Sequence, residues 1–312
     1  QDPDDWWRAC RQAVPQALEA AGLEPSAIAA IGLTGQMHGA TLLGAGDRVL
    51  RPAILWNDGR SFAECAELEA AVPDLHRIAG NLAMPGFTAP KLLWLRRQEP
   101  EIFAQVEKVL LPKDYVRLNM TGDAASDLSD SAGTLWLDVG ERTWSEEILA
   151  ACGLGLSQMP SLHEGSEVTG SLRAEVAALW GMDLVPVVAG GGDNAAGAAG
   201  VGVVRDGDAL LSLGTSGVIF AATSAFRPNP AGAVHAFCHC LPGLWHQMAV
   251  HLSAASCIEH EDRLSLSDHV YIGPFNFIEA SGGITLEEGV QVTSHVSIVT
   301  HSSHRAMRLH IL

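Results

Sequence analysis

Asp193 follows three consecutive glycines, Gly190-Gly191-Gly192, and precedes Asn194 and a ladder of alanine and glycine that ends at Gly200. The apolar run before the glycines, Pro186-Val187-Val188-Ala189, reads as a buried strand, so Asp193 is placed where a strand turns into a helix. A carboxylate there can cap the helix by accepting a backbone N–H, while the glycines before it let another molecule approach the backbone closely. A second polar constellation, Thr34-Gly35-Gln36-Met37-His38-Gly39, interrupts two strand-like runs, and a third, Trp56-Asn57-Asp58-Gly59-Arg60, ends the run that starts at Val49. Polar loops at the ends of buried strands are favoured places for ligand contacts. Gln36, Met37, His38, Trp56 and Asp58 are therefore candidate pocket residues, although a turn histidine with satisfied bonds also fits His38. The turn Leu213-Gly214-Thr215-Ser216-Gly217 offers backbone N–H groups and hydroxyls that suit a phosphate, and equally a plain hairpin.

The elements that would position these groups follow from spacing. Asp2-Pro3 and then Trp6, Cys10, Val14, Ala17, Leu18 and Ala21 predict a capped amphipathic helix closed by Gly22. Strands are expected at 28–33, 40–43 and 49–56, and a helix at 92–102 with Trp94 inward and Pro100 interrupting it. Residues 109–112 predict a strand end, 114–120 a helix closed by Gly122, and 127–133 a polar loop. A helix at 174–180, a strand at 185–189 and a hairpin of 209–213 with 218–221 complete the pattern.

Composition narrows the function. The chain has 312 residues, 47% of them apolar, enough for about two domains with sizeable cores. Its formal charge of −17 and only three lysines, Lys91, Lys108 and Lys113, argue against nucleic acid as a partner and favour small neutral substrates. No apolar run is long enough to span a membrane, and no basic segment followed by an apolar one opens the chain. The expected location is cytoplasmic, where six cysteines without CxxC spacing are buried thiols. Cys238-His239-Cys240 alone lacks the second ligand pair of a zinc site. Neither the GxxxxGK[ST] pattern nor GxGxxG occurs.

Beyond Cys257 the character changes. All eight tryptophans precede that point, whereas six of the thirteen histidines follow it. Ile272, Ile278, Ile284, Val290 and Val296 recur every six residues, the period of a parallel β-helix whose sixth side chains stack in one column.

Residues 1 to about 257 resemble the FGGY carbohydrate kinases of the actin-like ATPase superfamily. The resemblance is carried by Gln36-Met37-His38-Gly39, by Ile54-Leu55-Trp56-Asn57-Asp58-Gly59-Arg60, and by Met84-Pro85-Gly86-Phe87-Thr88-Ala89-Pro90-Lys91-Leu92-Leu93-Trp94. Gly190 to Asn194 and Leu213 to Gly217 add to it. It implies an α/β, ribonuclease H-like fold and ATP-dependent phosphorylation of a ketopentose, D-xylulose, with Mg²⁺. Asp193 would be the general base; Gln36, Met37, His38, Trp56, Asp58 and Asn194 would bind the sugar; Gly214, Thr215 and Ser216 would bind phosphate. It further implies a homodimer. The family's first phosphate hairpin, with its metal-associated acid, is expected ahead of Gln1, and most of its adenosine site beyond residue 257. The expected domains are 1–190, an N-terminal sugar-binding domain; 191–257, the start of the ATP-binding domain; and 258–312, a short left-handed β-helix. Residues from about 265 resemble hexapeptide-repeat acyltransferases, with His301 and His304 as candidate bases for O-acyl transfer. The chain is thus expected to join two unrelated family fragments near 257–265. A sugar-binding protein without turnover is the third expectation.

Overall fold

The computed structural model describes residues 1–213, 216–252, 257–259, 263–267, 271–272, 277–280, 283–288, 290–292 and 297–299. Asp2 starts the first helix as its sequence predicts. Its carboxylate accepts the Asp4 N–H at 3.0 Å, and Gly22 ends the helix in left-handed backbone. This helix, α1 (Pro3–Ala21), leads to three short strands, β1 (Thr34–Gly35), β2 (Thr41–Gly44) and β3 (Arg48–Val49). The strands expected at 28–33 and 49–56 are shorter than their apolar patterns. Ile31 makes only an isolated bridge to Val187, and Pro52 has no N–H to continue a ladder.

Four helices follow, α2 (Phe62–Ala71), α3 (Leu75–Ala79), α4 (Thr88–Gln98) and α5 (Pro100–Phe103), and Pro100 separates the last two as expected. Next come β4 (Lys108–Leu110), α6 (Pro112–Thr121), β5 (Ala125–Asp127) and α7 (Leu128–Ala132). The last of these corrects the polar loop expected at 127–133. Asp127 accepts the N–H groups of Ser129 and Asp130 at 2.7 and 3.2 Å and so nucleates a helical turn that is buried throughout. The order continues with β6 (Leu137–Asp138), β7 (Thr143–Trp144), α8 (Glu146–Ala151), β8 (Ser161–His163), β9 (Val168–Ser171) and α9 (Ala174–Trp180). It then reaches β10 (Pro186–Val188), β11 (Gly191–Gly192) and α10 (Asp193–Gly200).

By contact the chain divides into two units, residues 1–209 with 221–247, and residues 210–220 with 248–312. In the first unit, β1 and β11 run parallel, with Thr34 opposite Gly191 and Gly35 opposite Gly192. β2 pairs antiparallel with β3 and β4, and β5 pairs parallel with β8. The core beneath is apolar: Val116, Met120, Leu172, Val176, Trp180 and Val185 are buried together, and Trp6, Trp7, Cys10 and Val14 of α1 pack over them. Trp7 meets Trp180 edge-on at 5.9 Å. α1 is therefore anchored by its aromatic face, and it lies on α6 and α9.

The second unit contains parallel pairs. β16 (Cys257–Glu259), β17 (Leu264–Leu266), β18 (Tyr271–Ile272), β19 (Phe277–Glu279), β20 (Ile284–Leu286), β21 (Gln291–Val292) and β22 (Ser297–Val299) follow β12 (Ala209–Leu213), β13 (Ser216–Thr223), β14 (His235–Cys238) and β15 (Trp245–Leu252) in the chain. Ile258, Ile278 and Ile298 are in register, as are Leu264 with Ile284 and Ile272 with Val292. Each pairing steps by 20 residues, which corrects the six-residue reading. Strands start at 257, 264, 271 and 277, so their steps are 7, 7 and 6. A column built on every sixth residue drifts out of such a register within one circuit. Gly214, Thr215, Val296, His301 and His304 lie outside the described residues. No helix among the described residues is long and apolar enough to cross a membrane.

Candidate functional site

The parallel pairing of β1 with β11 brings two of the sequence constellations to the same sheet end. Gln36-Met37-His38 leaves the carboxyl end of β1, and Asp193-Asn194 leaves that of β11. Carboxyl ends of adjacent parallel strands are where open α/β sheets bind ligands. The glycines allow this approach. Gly190 sits at φ +88°, and a Cβ there would lie 2.1 Å from the Leu33 carbonyl oxygen. A Cβ on Gly133 would lie 2.7 Å from the His38 ring and 2.9 Å from Met37 Cε. A larger side chain at Gly190 would push the two chain segments apart, and one at Gly133 would displace the Met37-His38 loop.

Asp193 is the first residue of α10 and Gly192 is its N-cap, so the carboxylate is not the cap that the sequence allowed. Its Oδ1 accepts the backbone N–H of Asn194 at 2.8 Å and the Asn194 side-chain amide at 3.0 Å. The side chain remains solvent-accessible. Partial loss of hydration nevertheless raises its pKa above the ordinary carboxylate value, against those two bonds, which lower it.

His38 has a well-defined protonation state. Its ring lies edge-on to Phe87 at 4.7 Å, and Nδ1 is 2.6 Å from the Gly133 carbonyl. A carbonyl can only accept, so Nδ1 carries the proton and Nε2 is an acceptor. Burial lowers the pKa to about 3, opposed by the Gly133 bond and helped by the nearby Lys91 and His235. The imidazole is thus neutral at physiological pH. Phe237 and His235 of β14 stack at 5.6 Å, and each also lies against Phe87.

The other candidates fall around this centre. Met37 is buried with its side chain against Gly192 and Gly133. Gln36 Nε2 donates to the Gln1 side-chain oxygen at 3.4 Å. Trp56 is 56% exposed. Asp58 is held by Arg60 through two bonds of 2.8 and 2.7 Å, which keep its carboxyl below the usual range, and Arg60 lies over Trp94 at 4.9 Å. Ser216 begins β13, in the second unit.

Sequence reasoning assigned no role to two further groups. Lys91 is fully buried and donates to the carbonyls of His38 and Gly86 at 2.9 and 2.7 Å; burial lowers its pKa to about 7, against the charge of Asp58. Beneath Asp193, Lys113 is buried with Asp114, Asp127 and Asp130 at 2.5, 2.8 and 3.7 Å. Ser129 links this cluster to the site: its hydroxyl donates to Asp127 and accepts the Gly192 N–H at 3.1 Å. The available signal for both was rarity, since these are two of the three lysines in the chain. Among the described residues no group of three His, Cys, Asp or Glu side chains is disposed to hold a metal ion. The acids beneath Asp193 already enclose an ammonium.

Comparison with known proteins accords with this geometry. Residues 1–200 match the N-terminal domain of the FGGY family of carbohydrate kinases. Over 267 residues the chain is 61% identical to the xylulose kinase of Escherichia coli strain K12, covering 85% of this chain and 54% of that protein. A crystal structure of a xyloylose kinase from Brucella ovis superposes with a TM-score of 0.79 at 59% identity, over 82% of this chain and 53% of that one. A xylulose kinase from Rhodospirillum rubrum gives 0.77 at 30% identity, with the same coverage. The chain spans about half the length of the curated relatives it matches. These similarities do not support acyl transfer by residues 258–312. With the mixed α/β sheet ends described above, they show the fold that sugar kinases of the actin-like ATPase type share: the chain belongs to the FGGY family of carbohydrate kinases.

Proposed function

We propose that this protein phosphorylates D-xylulose to D-xylulose 5-phosphate, with ATP as the donor. The observation that carries this reading is the position of Asp193, accessible at the start of α10 beside the Met37-His38 loop. Both Asn194 bonds fall on Oδ1, so Oδ2 is the atom assigned to take the sugar hydroxyl proton. As the O–H bond breaks, the oxygen attacks the γ-phosphorus and ADP leaves. A base with a raised pKa sits closer to the operating pH, which improves proton transfer. His38 Nε2 would accept a hydrogen bond from another sugar hydroxyl, and Asn194, Met37, Gln36, Trp56 and Asp58 would complete the sugar pocket.

Gly214, Thr215 and Ser216 are proposed to hold phosphate, within a domain that starts near 191 and ends near 257, after a sugar-binding domain of 1–190. The 258–312 segment is proposed as a separate third part. Mg²⁺ bound with ATP would neutralise charge on the transferring phosphoryl group. No residue described above fits it as a ligand, and no step is assigned through it. A cytoplasmic homodimer completes the proposal.

Titration calorimetry with D-xylulose, ATP and acetyl-CoA, paired with a coupled ADP-release assay, tests the reading. D-xylulose binding is expected of this chain, and sugar-dependent ADP release of the same chain carried to the length of its relatives. Binding of acetyl-CoA without D-xylulose would sink it. Replacing His38 by alanine is expected to raise the D-xylulose KM about tenfold while kcat changes less than about threefold, because a positioning contact acts on the ground state as well as the transition state. An unchanged KM would remove His38 from the site.

A further inference from the structure

Lys91 is an unusual residue to find where it lies. Its side chain is fully buried, and its hydrogen bonds among the described residues go to two backbone carbonyls and to no carboxylate. It is the fourth residue of α4, near the positive end of that helix, where a cation is disfavoured. Neither helix stability nor ion pairing accounts for it. Leu92, Leu93 and Leu95 around it are buried, so an apolar residue would suit the surroundings better.

Its two partners lie in different loops. Gly86 precedes α4, whereas His38 belongs to the turn after β1. His38 has φ +68°, a left-handed backbone that is uncommon for a residue other than glycine and persists only where neighbours enforce it. The His38 carbonyl accepts from Lys91 Nζ at 2.9 Å and from Thr88 Oγ1 at 3.1 Å, which occupies both of its lone pairs. The following residue is also fixed, since a Cβ on Gly39 would lie 2.5 Å from Pro112 Cγ. The peptide after His38 is therefore held from two sides. On its ring side, the Gly133 bond sets which nitrogen faces outward.

We propose that Lys91 and Thr88 are positioning residues for sugar binding: by gripping the His38 carbonyl they maintain its left-handed turn and so aim the imidazole Nε2 at the sugar. This rests on the reading of His38 as a sugar contact. The low pKa of Lys91 accords with the role, because a neutral amine still has two N–H donors for the two carbonyls.

The test uses the 312-residue chain with Lys91→Met, Thr88→Val and His38→Ala. Thermal melts, D-xylulose titration calorimetry and nitrogen-15 NMR of labelled histidines are compared with the parent. Lys91→Met fills the same space without donors, so it should melt at or above the parent temperature. It should bind D-xylulose about tenfold more weakly, and Thr88→Val about threefold, since Lys91 ties the His38 carbonyl to Gly86 whereas Thr88 makes a single bond to it. The His38 signal, an Nδ1–H tautomer in the parent, should shift toward averaged tautomers in Lys91→Met and less so in Thr88→Val. Parental affinity and tautomer in a folded Lys91→Met would overturn the proposal. If Lys91→Met does not fold, Thr88→Val decides in the same way. Parental affinity in His38→Ala would instead remove the sugar-contact reading beneath it, while weak binding by His38→Ala beside normal binding by Lys91→Met removes the positioning role alone.

Discussion

Asp193→Asn is expected to lower kcat for D-xylulose phosphorylation by about 10³-fold, within the range for loss of a general base, while the sugar Kd stays within about threefold. The substitution keeps size and shape and removes only the ability to take a proton. A base acts mainly in the transition state, so binding should survive. The competing account is structural, because Asp193 also places a negative charge at the start of α10. That account predicts a different pattern: a loss of helix stability of up to about 1 kcal/mol and little change in turnover. Geometry already weakens it, since Gly192 occupies the N-cap and, among the described residues, the carboxylate's bonds go to its neighbour Asn194. ADP release and calorimetry should be measured on this chain and on the same chain carried to the length of its relatives. Near-normal turnover by the variant would reduce Asp193 to its electrostatic role.

The parts of this site that were legible in the sequence are those coded locally. A β-branched run, three glycines and an acid specify a strand, a close approach and a helix start, and Asp193 stands at that start. The caps of α1 were readable for the same reason, because Asp2, Pro3 and Gly22 act on neighbouring backbone. Residues whose environment is made by distant chain were not readable. Asp127, Ser129, Asp130 and Ser131 look like a solvated loop, and among the described residues it is Lys113, 14 residues before Asp127, that offsets the burial of the two acids. Lys91 stands inside a legible motif, yet nothing local shows that the His38 carbonyl, 53 residues away, is its acceptor. In the second unit, evenly spaced aliphatic residues suggested a period of six, although the pairing repeats every 20 residues. Periodicity gave the parallel stacking there, but turn lengths set the register, and those are weakly encoded.

Lys113→Met is expected to destabilise the first unit by about 3–5 kcal/mol, the usual cost of removing one partner from a buried ion cluster. Burial alone would lower the Lys113 pKa, yet Asp114, Asp127 and Asp130 outweigh it and raise the value above that of a free lysine. Its contribution is therefore complete below about 10.5, the unfolded value, and fades only as pH climbs through the higher folded value. Burial raises Asp114 and Asp130 above the ordinary carboxylate range, with Lys113 opposing the rise. For a carboxyl raised in this way the folded state binds the proton more tightly, so stability falls as pH rises from about 4 through the folded value. Without Lys113 both carboxyls should rise further. The loss in Lys113→Met should thus be largest at pH 8 and smaller at pH 5, and melts across that span would measure it. Adding Asp130→Asn should restore part of the loss at pH 8, since both Asp130 oxygens are buried without a hydrogen bond among the described residues. A melt equal to the parent at every pH would show that the cluster contributes little. The effect should also reach the reaction: Asp193 is among the charges that raise Asp130, and Ser129 ties the cluster to the Gly192 N–H beside it. Any folded Lys113→Met should then show lower kcat, because the cluster supports the strand end that carries the base.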